Sequence, residues 1–236
     1  MEWACGLVEY AKTLLNNGIT MLAVANVEEA EMLRKAGIQE KILMLTPVYN
    51  KKELKQLINN NIILTIDSIE KLNLAKEIAK KYNQDIEVQI KIDTGFGRYG
   101  FLYTQIDEIL ELFKLNKMVR ISGMYTHFSK PIDEKWTRKQ FDRFLSVIED
   151  VRKAGYDPGM LHACESTAFL KYNYMYLNAV RIGSAFQGRT LLNGTGLKKI
   201  GTFKTSIIEI KNVPKGYNIS YSNEYKVKKN SKIAIV

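Results

Sequence analysis

Short runs of β-forming apolar residues alternate with longer stretches of helical period through most of this chain. The runs are "MLAVAN" (21–26), "KILMLT" (41–46), "IILTID" (62–67), "IEVQIKID" (86–93), "MVRISGMYTH" (118–127), "GMLHACES" (159–166) and "YLNAVRIG" (176–183). Most lack a strict polar alternation, the pattern of parallel strands covered on both faces. Between them lie "NVEEAEMLRKAG", "NKKELKQLINN", "SIEKLNLAKEIAKKY", "TQIDEILELFKL" and "DEKWTRKQFDRFLSVIEDVRKAG". In the last of these, Trp136, Phe141, Phe144, Leu145 and Ile148 recur at helical spacing, which predicts a core-facing stripe.

Strand–helix alternation of this kind predicts a parallel α/β fold, either a barrel or a doubly wound sheet. Seven strands are predicted before residue 184, and the segment ahead of the first, "LVEYAKTLLNNG", reads as a helix with no strand before it. The economical reading is a (β/α)8 TIM-type barrel lacking its first strand, which is expected upstream of Met1. A doubly wound sheet is the alternative. After residue 190 the helical period disappears. Alternating β-formers, a "VPKGY" turn and a final "KIAIV" predict the start of a C-terminal all-β domain. The expected organisation is therefore an incomplete barrel over 1–190 and an incomplete β domain over 191–236, with both ends expected to be cut.

Composition narrows the class. Of the 236 residues, 46% are hydrophobic and 25% charged, as in a folded globular protein. No apolar run approaches the ~18 residues of a membrane span, and the N-terminus lacks a basic signal region, so no membrane partner and a cytoplasmic location are expected. Two cysteines, Cys5 and Cys164, are too few for a disulfide framework. The formal charge is +10, but the lysines are interleaved with acids and apolar residues along helical patterns. That predicts a solvated surface and no nucleic-acid partner, since no aromatic–basic motif accompanies the charge. The positive field still favours a small anionic ligand.

In parallel α/β folds, functional groups collect at the C-terminal ends of strands. The 86–93 run breaks into "DTGFGRYG", where three glycines allow close backbone approach around Arg98, a planar fork of donors. The competing reading pairs Arg98 with Asp93 or another acid. Lys91, on the same run, points to a barrel interior, where an ammonium is costly unless paired or modified. His127 ends a strand and is a candidate ring neighbour or hydrogen-bond partner, whereas His162, mid-strand, reads as structural. Ser166 and Thr167 stand where a strand hands over to a short helix, as an N-cap whose amides also suit a phosphate. Arg181, Gly183 and Ser184 combine a strand-end arginine with a Gly-Ser turn, whose amides next to Ser166 are positioned to cradle a phosphate. No metal site is predicted.

These segments together resemble a known family. "KIDTGFGRYGF", "GMYTHFSKPID", "HACESTAFLKY" and "NAVRIGSAFQGR" occur in the order and at about the separations found in bacterial alanine racemases, over essentially the whole chain. The wording of "RIGSAFQGR" is similar to the branch holding broad amino-acid and serine/alanine racemases. The resemblance implies pyridoxal 5′-phosphate (PLP) as cofactor, a (β/α)8 barrel with a C-terminal β domain, a small amino acid as substrate and a homodimer in full-length members. It implies interconversion of L- and D-alanine, supplying D-alanine for peptidoglycan. By position, Arg98 would bond the pyridoxal phenolic oxygen, and Lys91 matches a lysine that can be carbamylated to hold Arg98. His127 would pack beside the ring, Ser166 with Gly183 and Ser184 would hold the phosphate, and Arg181 would face the pyridine nitrogen. The family's Schiff-base lysine and opposing tyrosine match no residue here, so no catalytic residue is assigned and the 236 residues alone are expected to be inactive. Trp3 stands where a phosphate-binding tyrosine is expected, and Glu165 where an asparagine is usual. The alternatives are a non-catalytic PLP-binding homeostasis protein and, from a different class, a phosphate-binding barrel enzyme without PLP.

Overall fold

The computed structural model describes residues 6–114, 118–202 and 204–236. The chain divides into two compact units, Met1–Lys199 and Ile200–Val236. In the first, helix α1 (Leu7–Asn16) precedes β1 (Met21–Val24), α2 (Val27–Lys35), β2 (Lys41–Met44), α3 (Lys51–Asn59), β3 (Ile63–Ile66), α4 (Ile69–Tyr82) and β4 (Ile86–Asp93). A short β5 (Phe101–Leu102) and α5 (Ile106–Phe113) follow, then β6 (Val119–Tyr125), α6 (Glu134–Lys153), β7 (Met160–His162) and α7 (Ser166–Lys171).

The sheet runs β1-β2-β3-β4-β6-β7, all parallel, with β5 pairing the end of β4. A doubly wound sheet reverses its strand order at a switch point. Here the order is sequential throughout, with a helix after each crossing, which is the wall of a TIM-type (β/α) barrel. Helix starts are fixed by side-chain caps at the strand-to-helix loops. Asn26, Asn50, Ser68 and Asp133 each accept a bond from an amide in the first turn of α2, α3, α4 and α6.

Side-chain parity along β4 separates the barrel's two faces. Ile86, Val88, Ile90 and Ile92 join the main core under the helices. Gln89 and Lys91 therefore turn to the opposite face. On β6 and β7, Met124 and Leu161 belong to that same core, whereas Tyr125 joins a smaller cluster with Leu43 and Ile63. Register then builds rows across the interior. Lys91 pairs with Tyr125 and Tyr125 with His162, while Gln89 pairs with Gly123 and Gly123 with Met160.

Three expectations are corrected. The 176–183 run forms no regular strand: Ala179 makes a single bridge to His162. The side chain of Asn178 accepts the Leu161 amide, so a ladder bond is replaced by a side-chain bond. On α6, Phe141, Phe144 and Ile148 are buried, but Leu145 is 38% exposed and Trp136 is only half-buried, lying against the loop after β4. The strand β5 was not expected from the sequence. In the second unit, β8 (Glu209–Val213) pairs antiparallel with β11 (Ser231–Ile235), and β9 (Asn218–Ile219) with β10 (Tyr225–Lys226). The "VPKGY" turn closes with Tyr217 N–H on Pro214 O at 3.2 Å. Among the described residues, no helix is long and apolar enough to cross a membrane.

Gly123 is where the β6–β7 pairing leaves no space. A Cβ there would lie 2.4 Å from Met160 O and 3.1 Å from Gln89 Nε2. Gly123→Ala is expected to lower stability by about 1–3 kcal/mol through backbone displacement, read from the urea unfolding midpoint. A midpoint equal to the parent's would show that the strand pair yields at no cost.

Candidate functional site

The strand ends of β4, β6 and β7 carry the candidate groups, each fixed by a different device. After β4, the Asp93 carboxylate accepts from the amides of Gly95 (2.8 Å), Phe96 (2.8 Å), Gly97 (2.9 Å) and Arg98 (3.2 Å). Gly95 (φ +127°) and Gly97 (φ +73°) take backbone angles that other residues rarely adopt, which lets the loop wrap that carboxylate. Asp93 is thereby used by the backbone. Among the described residues, no carboxylate reaches ion-pair distance of the Arg98 guanidinium, which stacks 4.3 Å from the Phe96 ring centre and 4.8 Å from that of Tyr99. Phe96 in turn meets His127 edge-on, with ring centres 5.6 Å apart.

Arg181 is the structural centre. Its guanidinium donates to Thr126 O (2.7 Å), Ala163 O (3.0 Å) and His162 O (3.3 Å), to His127 Nδ1 (3.3 Å), and to His162 Nδ1. An arginine has only donors, so both imidazoles must present a bare Nδ1 to it. His162 then carries its proton on Nε2, which lies 2.8 Å from Gln89 Oε1. Burial first, and then Arg181 and Lys91, push His162 well below its ordinary range, and burial with the same two cations and Arg98 takes His127 down to about 2. Both rings are neutral at physiological pH. The Tyr125 ring stacks on His162 at 4.8 Å and 7°, with its hydroxyl bonded to Thr65 Oγ1 and Leu45 O. Burial raises that phenol above its ordinary value.

Lys91 is 2% exposed, with Nζ 3.3 Å from Ile92 O and 5.1 Å from the Tyr125 ring centre. Burial first and then Arg181 lower its pKa to about 7, with Asp93 opposing them and Arg98 adding a smaller push downward. Beyond β7, Ser166 Oγ accepts from Gly183 N (3.0 Å) and Ala185 N (3.2 Å). The Gly183 and Ala185 amides are thus engaged by the Ser166 hydroxyl, while Ser184 gives its carbonyl to Arg189 N. The helix cap is Glu165 rather than Ser166 or Thr167. Its carboxylate accepts from Thr167 N and Ala168 N, both at 2.8 Å, so those two amides are already taken.

The structure brings Arg181, His127 and Lys91 together, joins Ser166 to the 183–185 turn, and sets Arg98 beside His127 through Phe96. Trp3 lies outside the described residues. Sequence reasoning missed His162, Tyr125 and Gln89, which form the floor under Arg181. Parity was the available signal: in "LHACE", Leu161 and Ala163 are core, which turns His162 inward.

Cations and backbone amides at the C-terminal strand ends of a parallel barrel have the layout in which TIM barrels commonly place phosphorylated ligands. Comparison with known proteins takes this further. The model of the alanine racemase N-terminal domain matches residues 4–190, and the chain belongs to the alanine racemase family. It is 34% identical to an alanine racemase of Methanococcus maripaludis over 238 residues, covering 97% of this chain and 63% of that protein. It is 35% identical to one of Clostridium tetani, covering 97% of this chain and 61% of that one. The fold is similar to alanine racemase from Clostridium difficile 630, with a TM-score of 0.80, 31% identity, and coverage of 98% and 63%. It is also similar to that of Bacillus anthracis with bound L-Ala-P, with a TM-score of 0.76, 29% identity, and coverage of 98% and 62%. The chain spans about three-fifths of the length of these relatives.

The state of Lys91 makes stability pH-dependent. In the folded chain it loses its proton near pH 7, in the unfolded chain near 10.5. Between those values the unfolded state holds the extra proton, so stability rises with pH, by up to about 1.4 kcal/mol per pH unit. Below pH 7 both states are protonated and the penalty is constant. In carbon-dioxide-free buffer, Lys91→Met is expected to abolish this slope, as read from urea unfolding between pH 7 and pH 10. A parallel pair of curves would contradict the buried-lysine assignment.

Proposed function

We propose that this chain is the cofactor-holding part of a PLP-dependent alanine racemase that interconverts L- and D-alanine in the cytoplasm and supplies D-alanine for peptidoglycan. In this reading residues 1–190 hold the cofactor, 191–236 begin the β domain, and the working enzyme is a homodimer. The observation that carries it is the cluster of Lys91, Arg98 and Arg181 at the strand ends, with the adjacent acids engaged elsewhere: Asp93 by the backbone of its loop, Glu165 by the cap of α7. An anionic ligand relieves that imbalance.

The residues present fit PLP. Ser166 Oγ draws the Gly183 and Ala185 amides together, and a phosphate oxygen would have to take its place as their acceptor. We assign the phosphate to Ser166 and the 183–185 turn, with Ser184 at its centre. Arg98, carried on a loop that the Asp93 carboxylate fixes from inside, is assigned to the phenolic oxygen. His127, neutral and held edge-on to Phe96, is assigned to the ring's flank. Arg181 is assigned to the pyridine nitrogen, which it would face. When bound, PLP supplies the electron-withdrawing ring that acidifies the Cα–H of an amino acid.

The chain's own residues then tune that chemistry. Burial lowers the pKa of Arg181, yet its acceptors are carbonyls and bare imidazole nitrogens that favour retention of every proton. It would therefore offer the ring nitrogen a hydrogen bond and no transferable proton, which would limit electron withdrawal and suit racemisation. Lys91, near pH 7 partly an amine, can add CO2 with loss of one proton. The resulting carbamate would carry a negative charge in place of the neutral amine and pair with Arg98. The family's two proton-moving groups match no residue among the 236, so a polypeptide of these residues alone is proposed to bind PLP without racemising alanine.

The test is a PLP titration followed by absorbance and fluorescence. Ser166→Ala and Arg98→Ala are each expected to weaken binding about tenfold, as loss of a charge-assisted contact implies. Pyridoxal without its phosphate should bind more weakly still. Equal affinity of the parent for both compounds, or no effect of either substitution, would refute the assignment. D-alanine formed by the 236 residues alone would refute the inactivity proposal.

A further inference from the structure

Helix α6 stands behind two of the site's loops and bonds to both. Gln140, fully buried, accepts at Oε1 from Ser129 N (3.0 Å) and Ser129 Oγ (3.1 Å), which closes the segment just after His127. Its Nε2 lies 3.5 Å from Thr94 Oγ1, at the root of the Arg98 loop. Thr94 Oγ1 is in turn 2.8 Å from Thr126 Oγ1, and Thr126 O accepts from Arg181. One helix turn further on, Arg143 donates to Thr94 O at 2.8 Å. The Arg143 guanidinium is sandwiched by rings, 4.5 Å from the Tyr103 centre and 5.5 Å from that of Trp136. A Cβ at Gly95 would meet both Arg143 Nη1 and Trp136 Cζ2 at 3.0 Å, so the loop backbone lies directly on this pair. Trp136 is held by its own bond to Ser129 Oγ, at 2.8 Å.

These contacts form a closed bracket. The Arg98 loop is shaped from inside by Asp93 and clamped from outside by Arg143 and Trp136. The His127 segment is tied to the same helix through Ser129, and Gln140 joins the two. Neither Gln140 nor Arg143 reaches the ligand site. We propose that Gln140 and Arg143 are positioning residues: together they fix the Arg98 loop and the His127 segment relative to each other. Arg143 acts on the first alone, Gln140 on both. A guanidinium bond to a buried carbonyl and a buried amide bridging two loops are contacts whose loss is felt at the loops themselves. The consequence for cofactor affinity rests on the PLP reading, whereas the bracket itself does not.

The experiment is amide hydrogen exchange on the full chain, read over peptides covering 94–100, 126–130 and the C-terminal half of α6. Arg143→Met keeps the aliphatic stem and removes the donor. It is expected to speed exchange about tenfold in 94–100 alone. Gln140→Met should speed exchange in both 94–100 and 126–130. Arg143→Lys, which can still donate to Thr94 O, should restore most of the protection, and Ser146→Ala, exposed on the same helix, should change nothing. Exchange in both loop peptides equal to the parent's in both Met variants overturns the proposal. So does an equal rise in loops and α6, since that marks general destabilisation. With PLP added, each Met variant is expected to bind about tenfold more weakly. A parent chain that shows no PLP binding sinks the functional reading and leaves the bracket to be decided by exchange alone.

Discussion

The burial of the Arg181 guanidinium sets the terms for everything around it, because a permanently charged group removed from water must find acceptors for its donors or unfold the region. It finds three main-chain carbonyls, at Thr126, His162 and Ala163, and two imidazole nitrogens. The carbonyls come from the ends of two neighbouring strands, so the arginine is also a staple across the β6–β7 edge. The imidazoles must stay neutral with Nδ1 bare, which sends the His162 proton to Gln89. A charge at one strand end thereby dictates a tautomer and an amide orientation one layer deeper. Tyr125, stacked on His162 and bonded to Thr65 and Leu45, extends the same row toward β2 and β3.

Asp93 has a contrasting role. An acid beside two arginines and a lysine would ordinarily neutralise one of them. The glycine-rich loop instead folds four amides onto it. A carboxylate receiving several backbone N–H bonds is well satisfied and has little left for a guanidinium. The loop's shape and the site's unneutralised charge thus have one cause. Arg98 is left to stack on Phe96 and Tyr99, an arrangement that holds the side chain near His127 without consuming its hydrogen-bonding edge.

Much of this was legible in the chain, and for identifiable reasons. The alternation of apolar runs with helical segments predicted the parallel fold, since that signal is local and strong. Arg98, His127, Ser166 and Arg181 stood out as strand-end polar residues, and strand ends are where such folds expose chemistry. The 176–183 strand failed because its apolar pattern is overridden by Asn178, whose side chain competes for a backbone amide, a tertiary effect that periodicity does not carry. His162 was set aside as mid-strand, although position along a strand says less than parity across it. The strictly alternating "IEVQIKID" of β4 already showed which face was polar, and the same parity on β7 places His162 in register with Tyr125 and, through it, Lys91. The contacts of Gln140 and Arg143 with Thr94 lay beyond reach, because they join residues more than forty apart in sequence.

The electrostatics also explain why a ligand and the fold should stabilise one another. Arg181 and Arg98 both oppose the charge of Lys91, and burial opposes the charge of Lys91 and of Arg181. Lys91 answers by giving up its proton near neutrality. An anion that enters the site therefore gains from both arginines, and that gain exists only in the folded chain. By linkage, any such ligand raises folding stability by an amount set by its concentration relative to its dissociation constant. In the proposed reading, Glu165 would limit the gain at the phosphate, because its carboxylate already holds the Thr167 and Ala168 amides. Binding energy there would fall to Ser166 and the 183–185 turn, and the cationic groups Arg98 and Arg181 would carry a correspondingly larger share.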